Sequence, residues 1–126
     1  MPYTDINNLE LKSNDWLATV GFYREDLEIL EERLAEVAAK NTHKEVLKEV
    51  EHFQNQFDIQ KANMADYTSR IKHYVHLCAE DVKAHAGKVN LSLKKEQELL
   101  GQELVSFEKI VKSLRADFNR FLAKWM

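Results

Sequence analysis

The sequence has very few of the residues that interrupt helices. It contains one proline, at position 2, and three glycines among 126 residues. Glycine and proline mark most turns, and a proline inside a helix removes a hydrogen bond and distorts the backbone. Alanine, leucine, glutamate, lysine and glutamine, which are strong helix formers, are common instead. The composition predicts an all-α protein, and the length is that of a single domain over residues 1–126.

Cysteine, long apolar runs and net charge are also scarce. Cys78 is the one cysteine, so no internal disulfide can form and nothing requires an oxidising compartment. No apolar stretch reaches the length of a membrane span, and the N-terminal residues lack the basic and apolar parts of a signal peptide. A net charge of −3 gives no general attraction to nucleic acid or to anionic membrane. We therefore expect a cytoplasmic protein, unless a leader has been removed.

Large apolar residues recur at alternating spacings of three and four, the heptad pattern of helices that cross at shallow angles. The pattern predicts three long helices, at about residues 13–41, 42–86 and 89–125, with Gly87 as the stop of the second. Because short links make neighbouring helices antiparallel, we expect an antiparallel three-helix bundle with coiled-coil-like packing. The three seams are Trp16, Val20, Tyr23, Leu27, Leu30, Leu34 and Val37; Val46, Val50, Phe53, Phe57, Gln60, Met64, Tyr67, Ile71, Tyr74 and Cys78; and Leu93, Gln97, Leu100, Leu104, Phe107, Val111, Leu114, Phe118, Phe121 and Trp125.

A polar run at residues 54–63, QNQFDIQKAN, raises the question of whether the second helix breaks there. The heptad phase does not shift across the run, and Gln60 is the one polar residue in it that falls on the seam. We therefore expect a continuous helix, with Gln60 buried beside Tyr23, since a buried amide needs a hydrogen-bond partner. Folding the third helix back along the second places Trp125 beside about Glu49.

In this prediction the first helix is too short to cover the far end of the hairpin formed by the other two. That end carries an apolar stripe made of Ile71, Tyr74, Val75, Cys78, Val82, Leu93 and Leu100. Soluble monomers rarely leave such a patch exposed. The segment 1–12 is one cover, through Tyr3, Ile6, Leu9 and Leu11; a second copy that completes a four-helix bundle is the other. Gly101, inside the third helix, fits close approach of another backbone there.

A second candidate surface lies on the first helix. Phe22 and Ile29 are seven residues apart, just beside the seam. They either widen the core contact or form a docking site for a helix of another protein.

The sequence offers little for catalysis or ligand binding. His73 and His76 are one turn apart, and Glu49 with His52 forms a single Glu-x-x-His motif, but all of these point away from the core. A designed metal site needs three or four converging ligands. Phosphate-binding loops, nucleophile elbows and paired carboxylates are not recognisable, and the aromatic residues are committed to the seams. We expect no enzyme, no metal or other cofactor, no small-molecule substrate and no nucleic-acid partner.

These patterns indicate a non-catalytic helical-bundle protein, an adaptor or scaffold, that binds another protein, a second copy of itself, or both. The homodimer would form through the exposed end of the hairpin. The architecture resembles that of spectrin-like repeats and of bacterial helical chaperones in the arrangement of helices alone, and fold does not imply function. The alternative is a chaperone that binds an amphipathic client segment on the same stripe, with a helical carrier of metal or haem as a third interpretation.

Overall fold

The computed structural model describes residues 3–84 and 88–126, and the side chains of residues 12–81, 83 and 93–126. Three long helices lie side by side, which confirms the predicted all-α three-helix bundle. In chain order the elements are strand β1 (Tyr3–Asp5), helix α1 (Ile6–Lys40), helix α2 (Lys44–Ala84), strand β2 (Lys88–Asn90) and helix α3 (Leu91–Trp125).

Contacts between helices fix their directions. The indole Nε1 of Trp125 in α3 donates a hydrogen bond of 3.1 Å to Glu49 in α2, which confirms the predicted register of the hairpin. Further along, Arg70 of α2 pairs with Glu103 of α3. Residue numbers rise along one helix as they fall along the other, so α2 and α3 are antiparallel. A three-residue link makes α1 antiparallel to α2, and hence parallel to α3.

The turn between α1 and α2 is closed by hydrogen bonds at both helix ends. The side-chain amide of Asn41 donates to the carbonyl of Val37 over 2.9 Å, which satisfies one of the free carbonyls in the last turn of α1. The N–H of Leu47 donates to the carbonyl of His43 over 3.1 Å. The second helix therefore begins at Lys44, two residues later than predicted.

Helix α2 passes through the polar run without interruption, as predicted. Gln60 is buried, but the hydrogen bond to its side-chain oxygen comes from Asn63 on the next turn of the same helix, at 3.3 Å. The expected bond with Tyr23 is therefore replaced by a local one. The ring of Tyr23 packs edge-on against Phe107 of α3 instead, with centroids 6.2 Å apart.

Aromatic rings fill the core in the half of the bundle nearest the α1–α2 turn. Phe53 and Phe57 of α2 meet Phe118 and Phe121 of α3. The centroid of the Phe118 ring lies 5.2 Å from that of Phe53 and 5.1 Å from that of Phe57, both in edge-to-face geometry. Such pairs stabilise a core by about 0.5–1.5 kcal/mol beyond the burial of their area. Phe57 and Phe118 have no exposed surface, so they form the centre of the core.

The N-terminal region differs from the prediction. Helix α1 begins at Ile6, about seven residues earlier than expected, so most of the segment 1–12 is helical. Strand β1 pairs antiparallel with β2, with Tyr3 opposite Asn90, and this pairing holds the start of α1 at the link between α2 and α3. The first helix therefore reaches the far end of the hairpin. Gly87 lies outside the described residues.

Candidate interaction surface

Most of the predicted apolar stripe at the hairpin end is buried in the bundle. Ile71, Tyr74, Cys78 and Leu100 are each at most 5% exposed, and Val75 and Leu93 are half-buried. The side chain of Val82 lies outside the described part of the structure. Of the two covers considered for this stripe, a segment of the same chain or a second copy, burial within the single chain favours the first. The physical reason is the length of α1, which covers the end of the hairpin that the shorter predicted helix leaves open.

Trp16 of α1 occupies the place where a second copy was expected. Its indole lies against Gly101 of α3, such that a Cβ at position 101 would be 3.4 Å from Cζ2 of the ring. Ser13, one turn before Trp16, is only 2% exposed. The glycine in α3 thus allows close approach of a side chain from the same chain.

Two buried hydroxyls at this end have no hydrogen-bond partner within the described residues: those of Ser13 and Tyr74. The thiol of Cys78 is near the Tyr74 hydroxyl, but no hydrogen bond of normal geometry joins them. Burial raises the pKa of Tyr74, and the thiol adds to this effect; burial also raises the pKa of Cys78. A thiol that resists ionisation is a poor nucleophile, so Cys78 has no feature of a reactive cysteine.

Phe22 and Ile29, the other predicted site residues, lie on the surface. Their side chains are 57% and 54% exposed, and the Phe22 ring rests edge-on against that of Tyr23 at 5.3 Å. Asp26, between them, pairs with Arg115 of α3. Residues spaced four and three apart share one side of a helix. Phe22 and Ile29 therefore lie on the side of α1 that borders α3.

Helix α3 contributes a further exposed apolar residue to the same side. Val105 is 54% exposed, and it lines a groove of about 440 Å³ together with Trp16 and Gly101. We call the surface formed by Trp16, Phe22, Ile29 and Val105 the α1/α3 face. Val105 was not predicted, although its position one turn after Gly101 and off the third seam was a usable signal.

One ion pair crosses the floor of the α1/α3 face. Nε of Arg115 lies 3.6 Å from Oδ2 of Asp26, too far for a hydrogen bond, and the Asp26 side chain is only 13% exposed. Its Oδ2 atom is buried, and no described residue forms a hydrogen bond with it.

The side of the bundle between α2 and α3 also exposes aliphatic residues, but it is divided. Arg70 bridges to Glu103 across it, and the guanidinium also lies 5.5 Å from the Tyr67 ring centroid. Hydrogen bonding to Glu103 raises the pKa of Arg70. The Arg70–Glu103 ion pair lies between the exposed aliphatic residues of this side and divides them into groups. Its two charges neutralise each other within the chain. The exposed aliphatic residues here are Ile59, Leu77, Leu99 and Ile110.

The groove between α1 and α2 is lined by charged and polar side chains together with Met64 and Ala65. It has a volume of about 530 Å³, and Lys61 lies on its wall, 3.1 Å from Glu31 and 3.7 Å from Asp58. The hydrogen bond with Glu31 raises the pKa of Lys61. Lys61 and Glu31 thus neutralise each other on the wall of this groove.

The histidines of α2 do not converge on one another or on other ligands. His52, His73 and His76 are exposed. Within the described residues, no group of three or more His, Cys, Asp or Glu side chains is placed to hold a metal ion. No helix in the same part of the chain is apolar over a length that would cross a membrane.

Comparison of the chain with protein-family models, with curated proteins and with solved structures gives no significant match. The α1/α3 face is therefore characterised by its own geometry and charge.

Proposed function

We propose that this chain is a non-catalytic helical-bundle protein that acts by binding another protein through the α1/α3 face. The observation that carries the proposal is the exposure of Phe22, an aromatic side chain more than half of which faces solvent beside the buried Tyr23. Aromatic residues are enriched among the few side chains that supply most of the energy of protein interfaces. A helical protein gains nothing in stability by leaving such a ring exposed.

The arrangement around Phe22 suits a helical partner. Phe22 and Ile29 are one heptad apart on α1, and the exposed Val105 of α3 shares a groove with Trp16 of α1. An amphipathic helix presents apolar residues at the same spacing, and it can lie along a groove between two helices as a further member of the bundle. Charged residues on the outer sides of α1 and α3 would form the polar rim.

Burial of the hairpin stripe reduces the support for two earlier interpretations. A homodimer through the hairpin end and a chaperone that binds a client there both depend on Ile71, Tyr74 and Cys78, which are buried by the chain itself. We place the protein in the cytoplasm as part of the same proposal, because its one cysteine is a free, buried thiol.

Site-specific photo-crosslinking in cells tests the proposal. A benzophenone amino acid replaces Phe22 in the full chain, and a matched variant carries it in place of Ile110, which is 53% exposed but lies beside α2. We expect a discrete crosslinked protein band from position 22 and none from position 110. Equal crosslinking at the two positions, or none at either, would contradict the proposal.

A further inference from the structure

We propose that the α1/α3 face binds a second copy of this chain, with the helices of the two copies parallel and α1 of each copy facing α3 of the other. This inference rests on the proposed function, because it identifies the protein that binds to the α1/α3 face.

Charge complementarity points to the second copy. Residues 15–36 of α1 contain seven acids and two bases, whereas residues 109–124 of α3 contain five bases and one acid. Several of these charges are already paired within the chain, among them Asp26 with Arg115, Glu31 with Lys61 of α2, and Arg120 with Asp117. Among the described residues, no ion pair involves the exposed Glu25 and Glu32 of α1 or the exposed Lys109 and Lys112 of α3. A partner surface must therefore be basic opposite α1 and acidic opposite α3. The same face of a second copy has this pattern.

The register of α1 and α3 shows which charges would meet. The two helices are parallel; Trp16 is level with Gly101, and the Tyr23 ring is 6.2 Å from that of Phe107. On this register, the exposed Glu25 of α1 is about level with the exposed Lys109 of α3.

The orientation of the dimer follows from the same charges. If the two-fold axis of the dimer is parallel to the helices, each residue faces residues at the same height along the bundle of the other copy. In this arrangement α1 of one copy lies opposite α3 of the other. Phe22 then lies against Val105 of that copy, and Glu25 lies near its Lys109. An axis perpendicular to the helices would place α1 against α1 and α3 against α3, so that like charges face each other. The structure therefore favours the parallel arrangement.

The size of the face predicts a weak dimer. Twenty-one residues of helix extend about 32 Å, and two adjacent helices are about 20 Å wide, so each copy would bury roughly 600 Å². This is below the value of about 800 Å² per partner in standard interfaces. We expect dissociation in the micromolar range or weaker, and further weakening with salt because the rim pairs are exposed.

Sedimentation equilibrium of the purified full chain tests the inference. We expect a reversible transition from the 14.8 kDa monomer to a dimer as concentration rises. Phe22→Ser should weaken the dimer by about tenfold or more, as the loss of a central aromatic anchor does. Ile110→Ser, on the other side of α3, should leave it unchanged. Circular dichroism must show that each variant remains helical.

A charge swap distinguishes the orientation. Glu25→Lys and Lys109→Glu should each weaken the dimer, because each homodimer then contains two repulsive pairs. An equimolar mixture should restore association, since both pairs in the mixed dimer are attractive. Lys72→Glu on α2 is the control and should have no effect.

The possible failures can be told apart. A chain that stays monomeric at high concentration, or variants that weaken the dimer without rescue in the mixture, would overturn the inference. If such a monomer still crosslinks through position 22 to a different protein in cells, the proposed function stands and only the second copy is excluded. If it does not crosslink at all, both proposals fail.

Discussion

Trp16 and Gly101 lie in contact across the α1/α3 boundary: the indole rests over a helix position that has no side chain. A glycine inside a helix costs up to about 1 kcal/mol relative to alanine, so its use here needs a packing reason. The close indole is the packing feature at this position, since a methyl group at 101 would be in van der Waals contact with the ring. The same ring forms part of the candidate interaction surface.

Replacement of the two glycines described inside helices should have unequal effects. A Cβ at Gly21 would meet no atom within 4 Å, whereas one at Gly101 would lie 3.4 Å from Trp16. We expect Gly21→Ala to stabilise the protein by about 0.5–1 kcal/mol through the lower conformational freedom of the unfolded chain. Gly101→Ala should give a smaller gain, because the methyl group touches the indole. Urea unfolding of both variants measures the difference; an equal gain at both positions would contradict the contact.

The sequence predicted the core of the bundle well because the core is periodic. The seam of α2 is in phase on both sides of Gln60, and Phe57, Met64 and Ile71 are all fully or almost fully buried. A long helix with a strict heptad pattern leaves little freedom in which residues face inward. The same periodicity placed Trp125 beside Glu49.

The N-terminal boundary of α1 could not be predicted in the same way. Ser13 and Asn14 are typical of positions where helices begin, yet α1 passes through both, and Ser13 is buried. Tertiary contacts overrode the local preference, because Ser13 and Trp16 pack at the far end of the hairpin. The late start predicted for α1 left two covers open for the hairpin stripe, the segment 1–12 or a second copy. Val105 was not predicted because it lies outside the heptad seams that define the core.

Truncation of Phe118 should be among the most costly single changes. The ring has no exposed surface and contacts Phe53 and Phe57 edge-to-face. Phe118→Ala should lower the free energy of unfolding by about 3–5 kcal/mol, since it removes buried apolar area and leaves a cavity. Ile110→Ala on the same helix, where the side chain is 53% exposed, should cost much less. Urea unfolding compares them, and a similar loss for both would show that the core is not centred on Phe118.

Removal of the unpaired hydroxyls should stabilise the end of the bundle. Within the described part of the chain, the buried hydroxyl oxygens of Ser13 and Tyr74 have no hydrogen-bond partner, and such a group costs about 1–3 kcal/mol when it is taken out of water. Ser13→Ala and Tyr74→Phe delete the polar atom and keep the rest of the side chain. We expect each variant to unfold at a higher urea concentration than the wild type. A loss of stability on Tyr74→Phe would indicate that the hydroxyl has a partner in solution.

Stability should fall at alkaline pH because of Cys78 and Tyr74. Burial raises the pKa of the Cys78 thiol above its ordinary value of 9.0, and it raises the pKa of Tyr74 above 10.0. Above its ordinary pKa each group loses its proton in the unfolded chain but keeps it in the folded chain. The folded state then binds more protons, so the free energy of unfolding decreases as pH rises. Neither group lowers the free energy of unfolding below about pH 9. It decreases above pH 9 because of Cys78, and above pH 10 also because of Tyr74.

The Cys78→Ala variant isolates the contribution of the thiol. Each pH unit in which the unfolded chain is ionised and the folded chain is not lowers the free energy of unfolding by about 1.4 kcal/mol per group. Urea unfolding of the wild type at pH 7, 8, 9, 10 and 11 should therefore show a decline that starts near pH 9. In Cys78→Ala the decline should start later, where tyrosine ionises, and in the double variant with Tyr74→Phe it should be smaller again. Only the slope against pH is compared, so any change in packing caused by the substitutions cancels. Identical slopes in all three proteins would mean that neither group is held protonated by burial.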